Sequence, residues 1–548
     1  MQKPLVSIIV PIYNVAAYLS ECLQSLVGQS YEALDIILID DGSDDESLKI
    51  ALDFAARDGR IFVVSKPNGG LSSARNFGLE FVRGTGLREF FEGGVNFGEN
   101  SQKNSRSAQI THPQTPSARE GAFNGSRNDE QGENSQNSAP FRHTERSEVS
   151  INQGVNLNVD SSPATQAQND DLGANFVIFS SNSTQNLQIS VNLNQNSQEN
   201  SRSAQITHPQ SRCARAFNGS RNDDSAAQIQ SLAQTHTFKK TYKSISGKEI
   251  QAHFTQVAPN FIKSDLAQIS DFITQELPPN ALIHFVDSDD YLTKDCIEKC
   301  VQALCEQGLK LIAHNLTHFY EKSGEFKEDD FLGKMRQNAY ESGLELLSEN
   351  KFTSLYFSVQ GLFKAELLNR YALRFCEGIY HEDHDFGTLL FALAGKVAYT
   401  SEPLYIYRER PNSTMTSYQS TAMPAKMPYF LEPLREHFSD YKALRAYFKA
   451  YCFVLVGFKI WHFYEQKSEK DSEFRQKFKD FFAKSTLSYM KIFKTSLNPD
   501  PLGIKELLKS IKFTKSSVLC EFFKDLHRQP KKLRHFANLK YLLTKDTQ

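Results

Sequence analysis

The sequence predicts an α/β protein built on a parallel sheet that is covered by helices on both faces. Over residues 5–84, apolar runs of strand length alternate with segments of helical spacing. The runs are continuously hydrophobic, which is typical of parallel strands buried on both faces. A further apolar run at 281–286 leads directly into an acidic cluster. At 548 residues the chain is long enough for about three domains.

The first 84 residues contain three strand–helix units, and we treat residues 1–84 as the first half of one α/β domain. The predicted strands cover 5–13, 34–39 and 61–65, and the predicted helices cover 17–27, 44–56 and 72–82. Ser72 or Ser73 can cap the third helix. Polar loops follow each strand, at the edge where ligands of open α/β sheets bind.

Residues 85–236 interrupt this pattern. They are rich in Asn, Ser, Gln and Gly and contain a repeat, because NSRSAQITHPQ at 104–114 recurs at 200–210. Almost no apolar periodicity is present, so the segment cannot bury enough surface to offset its ordering entropy. We predict a disordered insert, with a binding function as the alternative.

The remaining chain divides into three predicted regions. Residues 237–280 form a small structured elaboration, with a strand over 249–257 and a helix over 261–277. Residues 281–417 form the second half of the α/β domain, with a strand at 281–286, a helix at 295–307 and a strand at 309–314. Residues 418–548 form a helical, basic C-terminal region rich in Phe, Tyr and Lys.

Charge is distributed unevenly along the chain. The formal net charge is −2, yet residues 425–548 hold 25 Lys and Arg against 13 Asp and Glu. Such a tail can bind an anionic membrane surface or nucleic acid, or it can form solvated helix faces. No run of about 18 apolar residues occurs, and the N-terminus lacks the features of a signal peptide. We therefore predict a cytoplasmic protein.

The eight cysteines form no regular framework, which fits a reducing compartment. The densest group is Cys296, Cys300 and Cys305. Cys296 and Cys300 are spaced to share one helix face, as small core residues do. A metal site there needs more ligands than the neighbouring sequence offers, so we predict none.

Three acidic clusters are candidates for chemistry. Asp40-Asp41 and Asp287-Ser288-Asp289-Asp290 each follow a buried strand, where carboxylates can accept from a nucleoside or hold Mg²⁺ beside phosphates. Loop entry and helix capping are the alternative explanation for Asp40-Asp41, and an exposed acidic turn that caps the following helix is the alternative for the second cluster. Glu382-Asp383 begin a helix, where acidic residues are favoured by its dipole, and where a carboxylate can also serve as a general base.

The histidines beside the third cluster, His381 and His384, are three residues apart. A pair of metal ligands on a helix face is usually four apart, so we interpret these two as surface or supporting residues.

Taken in order, five segments resemble the family 2 glycosyltransferases of the GT-A fold. They are VSIIVPIYN, DDGS, KPNGGLSSARNFGLE, FVDSDD, and GIYHEDHDFG followed by EPLYIYR. The resemblance covers residues 5–84 and about 281–410. It implies a Rossmann-like mixed sheet flanked by helices, with residues 1–84 as the nucleotide-binding half and 281–417 as the metal and acceptor half. It also implies inverting transfer from a nucleotide sugar, with UDP as the expected nucleotide.

The resemblance assigns the nucleotide-sugar site to the first half of the domain together with Asp287. Pro11 and Tyr13 would line the base pocket, and Asp41 and Asp40 would accept from uracil and ribose. Asn68 and Arg75 would lie near the diphosphate.

The resemblance assigns metal and acid–base chemistry to the second half. Asp287 and Asp289 would form the metal motif, with Asp289 as the more direct ligand of Mn²⁺ or Mg²⁺. Asp383 would be the general base, with Glu382 as the second choice. The expected acceptor is a glycan or a lipid-linked precursor of lipopolysaccharide or another surface polysaccharide, reached by peripheral contact of the basic tail with the inner membrane. No nucleic-acid partner is expected.

Two departures from the family are visible. Almost two hundred residues separate the ARN helix from the DSDD segment, and the QxxRW motif of processive synthases is missing. The second departure favours transfer of single sugars. Two rival hypotheses remain, a non-catalytic nucleotide-sugar-binding or scaffold protein and a nucleotidyltransferase. The latter needs a Gly-rich phosphate loop near the N-terminus, which VPIYNVAAYL does not provide.

Overall fold

The computed structural model describes residues 3–93, 245–272, 276–329, 335–369, 371–410, 421–468, 471–490 and 495–511, together with 492, 538, 541 and 542. The predicted insert therefore lies outside the described residues, except for its first nine positions. Those positions include a short helix, Gly86–Phe91, so ordered structure continues past the predicted boundary at residue 84.

The N-terminal half consists of alternating strands and helices. Its strands are β1 (Val6–Ile12), β2 (Leu34–Asp40) and β3 (Ile61–Ser65), and its helices are α1 (Ala16–Val27), α2 (Ser47–Ala55), α3 (Leu71–Glu80) and α4 (Gly86–Phe91). Every residue of β1 and β2 is buried, as the continuous apolar runs predict. The helix predicted from residue 44 begins at Ser47, because the Asp45 side chain accepts from the Ser47 amide and holds the residues before it in a turn.

The second half adds shorter strands and helices. They are α5 (Gly247–His253), β4 (Phe254–Ala258), β5 (Phe261–Ser264), β6 (Leu282–Phe285), β7 (Tyr291–Leu292), α6 (Cys296–Glu306), β8 (Leu311–Tyr320), β9 (Glu325–Glu328), β10 (Ala339–Tyr340), α7 (Gly343–Glu349), β11 (Gly361–Lys364), α8 (Glu366–Asn369), α9 (Glu382–Leu393) and β12 (Val397–Glu409).

All described strands belong to one mixed sheet of twelve strands. Its order is β10-β12-β8-β11-β6-β1-β2-β3-β5-β4, with β7 paired to β12 and β9 paired to β8. Strands β6, β1, β2, β3 and β5 run parallel, whereas β11 is antiparallel to both of its neighbours. The predicted mixed α/β sheet flanked by helices is confirmed, and the two distant halves of the sequence meet at β1 and β6.

The predictions for the elaboration at 237–280 were wrong in detail. Residues 249–257 begin as a helix, Gly247–His253, which is capped reciprocally by Ser246 and Glu249. The helix predicted over 261–277 is instead strand β5 followed by a 3₁₀ turn at Ser270–Phe272. Phe261 and Ile262 fill the sheet beside β3, and over so short a run apolar spacing does not separate strand from helix.

Helix α3 packs closely on the centre of the sheet. Its residues from Ser72 to Glu80 are all buried, and Gly78 lies directly over Ile9 of β1. A Cβ atom at position 78 would lie only 2.3 Å from Ile9 Cγ2. Glycine is therefore required here for the approach of the helix to the strand, which in turn sets the position of the polar residues on α3.

The described part of the C-terminal region is mainly helical, as predicted, and it packs on the α/β domain. Its long helix α10 (Tyr441–Ser468) contacts α9, α11 (Ser472–Tyr489) and α12 (Ile504–Ser510). A buried ion pair between Lys459 of α10 and Asp385 of α9 ties the region to the domain. Among the described residues, no helix combines the length and the apolar character needed to cross a bilayer.

The tight contact at Gly78 generates a stability prediction. The Gly78→Ala variant should lower the free energy of unfolding by about 1–3 kcal/mol, because the added methyl group forces α3 away from the stiff side chain of Ile9. Chemical denaturation of the full chain measures the change. Gly59→Ala is the matched control, since a Cβ at that position meets no atom within 4 Å and should change stability by less than about 0.5 kcal/mol. Equal stability of the two variants would contradict the packing described here.

Candidate active site

The candidate site lies at the carboxyl ends of the parallel strands. Register places Ile12 of β1 opposite Asp40 of β2, and Asp40 opposite Ser65 of β3. Strand β6 lies parallel to β1, so its carboxyl end is on the same side. The loops that follow these four strands carry the residues predicted for nucleotide and metal binding, in the position typical of ligand sites in open α/β sheets.

Pro11 and Tyr13, predicted to line the base pocket, and Asn68, predicted to lie near the diphosphate, differ in accessibility. Pro11 is buried near the end of β1, opposite Ile39 of β2. Tyr13 directly follows β1 and is 43% exposed, and Asn68 is exposed in the loop after β3. Tyr13 and Asn68 therefore present accessible side chains at the carboxyl ends of the strands, whereas the Pro11 side chain is buried there.

The Asp40-Asp41 pair is buried and heavily hydrogen-bonded. Asp40 accepts from the Ser65 hydroxyl at 2.8 Å and from the Ser43 amide at 3.2 Å. Burial raises the pKa of Asp40 and that of Asp41, and Lys66 opposes the shift of Asp41. Both carboxylates thus have protein partners before any ligand binds.

Asp41 fixes the turn that begins α3. Its two carboxylate oxygens accept from the backbone amides of Gly69 and Gly70, at 2.9 and 2.8 Å, and Lys66 forms a buried ion pair with it. Gly70 has φ of +84°, a conformation that glycine adopts without strain. The structure gives Asp41 a positioning role, and acceptance from uracil or ribose by Asp41 stays a prediction.

Arg75 joins the two halves of the domain. Its guanidinium donates to Asp287 at 2.7 Å and to Glu382 at 2.9 Å, and its side chain is only 2% exposed. The guanidinium also lies over the Phe375 ring, 5.1 Å from its centroid. In this structure Arg75 therefore binds two of the predicted site carboxylates, and a direct contact with the diphosphate stays a prediction.

The three carboxylates after β6 have different surroundings. Asp287 faces Arg75, and Asp289 accepts from Arg410 at 2.6 Å. Asp290 is buried, where it accepts from the Tyr405 hydroxyl at 2.7 Å and from the Arg408 amide at 2.8 Å. Asp290 therefore holds the loop against β12, while Asp287 and Asp289 remain partly exposed, at 27% and 23%.

The acidic loop holds more negative charge than its partners neutralise. Burial raises the pKa of Asp290 well above its usual range, and the charges of Asp289 and Asp287 raise it further. Burial and Asp287 also raise the pKa of Asp289, although Arg410 opposes this shift. Such repulsion favours a bound cation.

Asp287 and Asp289 offer partly exposed carboxylate oxygens, the kind of ligand that hard divalent ions prefer. These residues therefore fit Mg²⁺ or Mn²⁺.

Glu382 and Asp383 begin α9, as predicted. Glu382 is buried against Arg75, and burial raises its pKa to about 7. Asp383 is half-buried, and burial raises its pKa to about 6, with Asp385 and Asp287 adding to the shift and Arg75 opposing it. Asp383 directly follows Glu382, whose carboxylate shares the Arg75 guanidinium with Asp287 of the acidic loop. Because Glu382 is engaged by Arg75, Asp383 is the more accessible of the two carboxylates.

The neighbouring histidines are anchored to the C-terminal helices. The His381 ring stacks on Phe453 with centroids 4.6 Å apart, and His384 Nδ1 lies 3.1 Å from the Tyr489 hydroxyl. His381 adopts a left-handed conformation just before α9, with φ of +67°. This conformation brings one potential ligand atom each from His381, Asp383 and His384 within 4.8 Å of one another, which spacing along a regular helix did not predict.

Several site residues were missed from the sequence. Tyr405 and Arg408 hold Asp290, Arg410 pairs with Asp289, and Lys66 pairs with Asp41. The segment EPLYIYR carries Tyr405 and Arg408, so a signal existed. Their partners lie more than one hundred residues away in sequence, and the pairing itself could not be read from spacing.

The N-terminal half matches a known family. Residues 7–87 match the model described as Glycosyl transferase family 2. Over 82 residues the chain is 55% identical to "Uncharacterized glycosyltransferase EpsJ" of Bacillus subtilis (strain 168), which covers 15% of this chain and 24% of that protein. An "Uncharacterized glycosyltransferase" of Haemophilus influenzae is 44% identical over 85 residues, or 15% of this chain and 34% of that protein. The predicted resemblance to family 2 glycosyltransferases is thus confirmed over this segment.

These matches span at most about a third of the relatives' own length. Among solved structures, the "Crystal structure of S. aureus TarS 1-349" is similar with a TM-score of 0.43 and 11% identity, covering 96% of this chain and 92% of that one.

The bonds of Tyr405 generate a prediction about the acidic loop. Its hydroxyl donates to Asp290 and accepts from the Asp287 amide at 3.1 Å, so Tyr405→Phe leaves both buried groups short of a partner. We expect a loss of about 1–3 kcal/mol in the free energy of unfolding, measured by chemical denaturation. Tyr320→Phe, at a position 37% exposed, is the control and should be close to neutral. A Tyr405→Phe variant as stable as the parent would show that this hydroxyl does not hold the loop.

Proposed function

Proceeding from the family 2 match, we propose that the chain is an inverting glycosyltransferase that moves a sugar from a nucleotide sugar, with UDP as the nucleotide, to a glycan or lipid-linked acceptor. The observation that carries the proposal is the Arg75 bridge, which brings Asp287 and Glu382 to one guanidinium although 95 residues of sequence separate them. A binding module has no need of a partly exposed carboxylate, Asp383, next to a glutamate that shares an arginine with the acidic loop. The geometry therefore supports an enzyme over a scaffold.

In this proposal Asp289 and Asp287 hold Mn²⁺ or Mg²⁺. When bound, such a cation neutralises charge that develops on the leaving nucleoside diphosphate. Tyr13 and Asn68 are the exposed groups at the end of the sheet that would meet the nucleotide. Asp41 and Asp40 would accept from uracil and ribose, and with Lys66 they also fix the loops at the strand ends.

Asp383 is the proposed general base. It would take the proton from the acceptor hydroxyl as the oxygen attacks the anomeric carbon and the bond from that carbon to the diphosphate oxygen breaks. The attack comes from the face opposite the leaving group, so the configuration inverts in one displacement. No covalent enzyme intermediate is needed, because the diphosphate leaves as the acceptor oxygen arrives.

The basic C-terminal region is proposed to meet an acceptor in surface polysaccharide or lipopolysaccharide synthesis at the inner membrane, from the cytoplasmic side. Many of its aromatic residues are buried within the helix packing, including Phe474, Phe478 and Phe482. Contact with an anionic surface would therefore rest on exposed cations such as Lys477 and Lys479 of α11.

The metal role generates the first functional prediction. Asp289→Asn should abolish most of the Mn²⁺- or Mg²⁺-dependent hydrolysis of a UDP-sugar, with kcat/KM falling by at least about 100-fold. A panel of UDP-sugars, screened first for protection against thermal unfolding, supplies the substrate. Asp295→Asn removes a surface carboxylate that is 45% exposed and should leave kcat/KM unchanged. If Asp289→Asn retained full metal-dependent activity, the proposed metal site would be wrong.

The base role generates a prediction about pH. A general base works only when ionised, so kcat/KM should fall as pH decreases through about 6, the raised pKa of Asp383. An ordinary aspartate would keep its activity down to about pH 4. Asp383→Asn should lose about 100- to 10,000-fold in kcat, and the remaining activity should lack this acid limb. An acid limb that persists unchanged in Asp383→Asn would assign the titration to another group.

The two functional tests also separate the enzyme from its rival. A scaffold that binds nucleotide sugars would still be protected by them against thermal unfolding, but it would show no metal-dependent turnover in the parent chain.

A further inference from the structure

Two histidines and a cysteine meet in the core, away from the acidic loop. His284 lies on β6, His314 on β8, and Cys296 in the first turn of α6, and all three are fully buried. The two Nε2 atoms are 3.1 Å apart, and Cys296 Sγ lies 3.9 Å from His314 Nε2. One potential ligand atom of each residue falls within 4.8 Å of the other two.

The hydrogen bonds of the two rings determine their protonation pattern. His284 Nδ1 lies 2.8 Å from the carbonyl oxygen of Phe285, and His314 Nδ1 lies 3.0 Å from that of Asn315. A carbonyl oxygen only accepts, so both Nδ1 atoms carry hydrogen. In neutral rings both Nε2 atoms then present lone pairs to each other at 3.1 Å. That contact is repulsive unless a proton or a metal cation lies between them.

The burial of the cluster decides between these two occupants. An extra proton would create an imidazolium in a fully buried site, where a charge taken out of water is costly. A bound metal ion would also be positively charged, but the Cys296 thiolate would compensate part of that charge. In metal-binding histidines, the nitrogen that does not bind the metal usually donates its hydrogen to a carbonyl or carboxylate. His284 and His314 are arranged in this way.

The spacing agrees with tetrahedral coordination. With bonds of about 2.0–2.1 Å to nitrogen and about 2.3 Å to sulfur, a tetrahedral zinc site holds two nitrogens about 3.4 Å apart and a nitrogen and sulfur about 3.6 Å apart. The observed separations, 3.1 and 3.9 Å, lie within about 0.3 Å of these values. The third separation, between the ligand atoms of Cys296 and His284, is within 4.8 Å, so a shift of no more than about 1.2 Å brings it to the tetrahedral value.

We propose that His284, His314 and Cys296 bind one borderline-soft divalent cation of the zinc class. Cys300 is also buried, one helical turn after Cys296, and could serve as a fourth ligand if its thiol turned toward the three clustered residues. Two thiolates would make the buried centre electrically neutral. Binding releases the proton of each coordinating thiol. The nitrogen and sulfur ligands distinguish this centre from the carboxylates of Asp287 and Asp289, which suit harder ions.

The site would act on structure rather than on the reaction. It would clamp β6 to β8 across β11, just three residues before Asp287 begins the acidic loop. The sequence showed only Cys296 and Cys300 on one helix face, and we predicted no metal there because the neighbouring residues offer too few ligands. The fold supplies the missing ligands from strands before and after the helix.

The full chain tests the proposal after unfolding and refolding with and without Zn²⁺, followed by removal of free ion. We expect about one equivalent of zinc per chain by elemental analysis, one per proposed site, and a Tm several degrees higher than that of the metal-free sample. Refolding with Co²⁺ should produce the charge-transfer absorption of a thiolate–cobalt bond. A chain that refolds fully, retains no zinc and gains no Tm would overturn the proposal and leave a shared proton between the rings.

Variants locate the metal. Cys296→Ala should lose the bound zinc and the cobalt absorption, whereas Cys305→Ala, at an exposed position on the same helix, should keep both. Asp289→Asn should also keep both, which separates this centre from the proposed catalytic metal. If Cys296→Ala retained a full equivalent of zinc, the metal would lie elsewhere. Should that variant fail to fold, the cobalt spectrum of the parent chain still decides whether a thiolate is bound.

Discussion

The packing of α3 against residues 374–382 is the contact on which the rest of the site depends. Arg75 reaches Asp287 and Glu382, and Asn76 both donates to and accepts from the backbone of Phe375 at 3.0 Å. Glu80 pairs with Arg374, also out of water. One helix face thus satisfies buried polar groups of the second half, and each of these groups is costly to leave without a partner.

The same arrangement explains why the pKa values of Asp289, Asp290, Glu382 and Asp383 are raised. A sheet covered on both faces excludes water from its centre, so the carboxylates at its end are partly desolvated. Arg75 and Arg410 neutralise part of their charge, and in the proposed function a divalent cation would offset the remaining repulsion. In that proposal the same desolvation would keep Asp383 basic enough to accept a proton.

Sequence patterns predicted those strands and clusters that are marked by a few consecutive residues. Continuous apolar runs identified β1 and β2, and the acidic clusters were found at the strand ends and at the start of α9. The pairing of Arg75 with Glu382 spans 307 residues, and no local pattern encodes which carboxylate an arginine will meet. In the sequence, His284 and His314 have no feature that distinguishes them from other strand residues. Only the pairing of the strands in the sheet brings their side chains together. The helix predicted over residues 261–277 was wrong because the local signal was ambiguous. Apolar spacing over a few residues suits either a strand or a helix.

A domain split by a long stretch of sequence can still assemble if the ends on either side are held by the fold. Gly93 and Ile245 are the described residues that flank the stretch, and contacts nearby join its two sides. The Phe91 ring packs on Phe254 with centroids 6.3 Å apart, and Gln256 donates to the Phe91 carbonyl at 3.2 Å. The entropy of closing a loop grows only with the logarithm of its length, by about 0.6 kcal/mol per doubling. Once α4 and β4 are in contact, the length of the connection has little effect on the stability of the sheet. The constraint on this chain is therefore that both ends of the connection remain at the β4 edge, far along the sheet from β6 and its acidic loop.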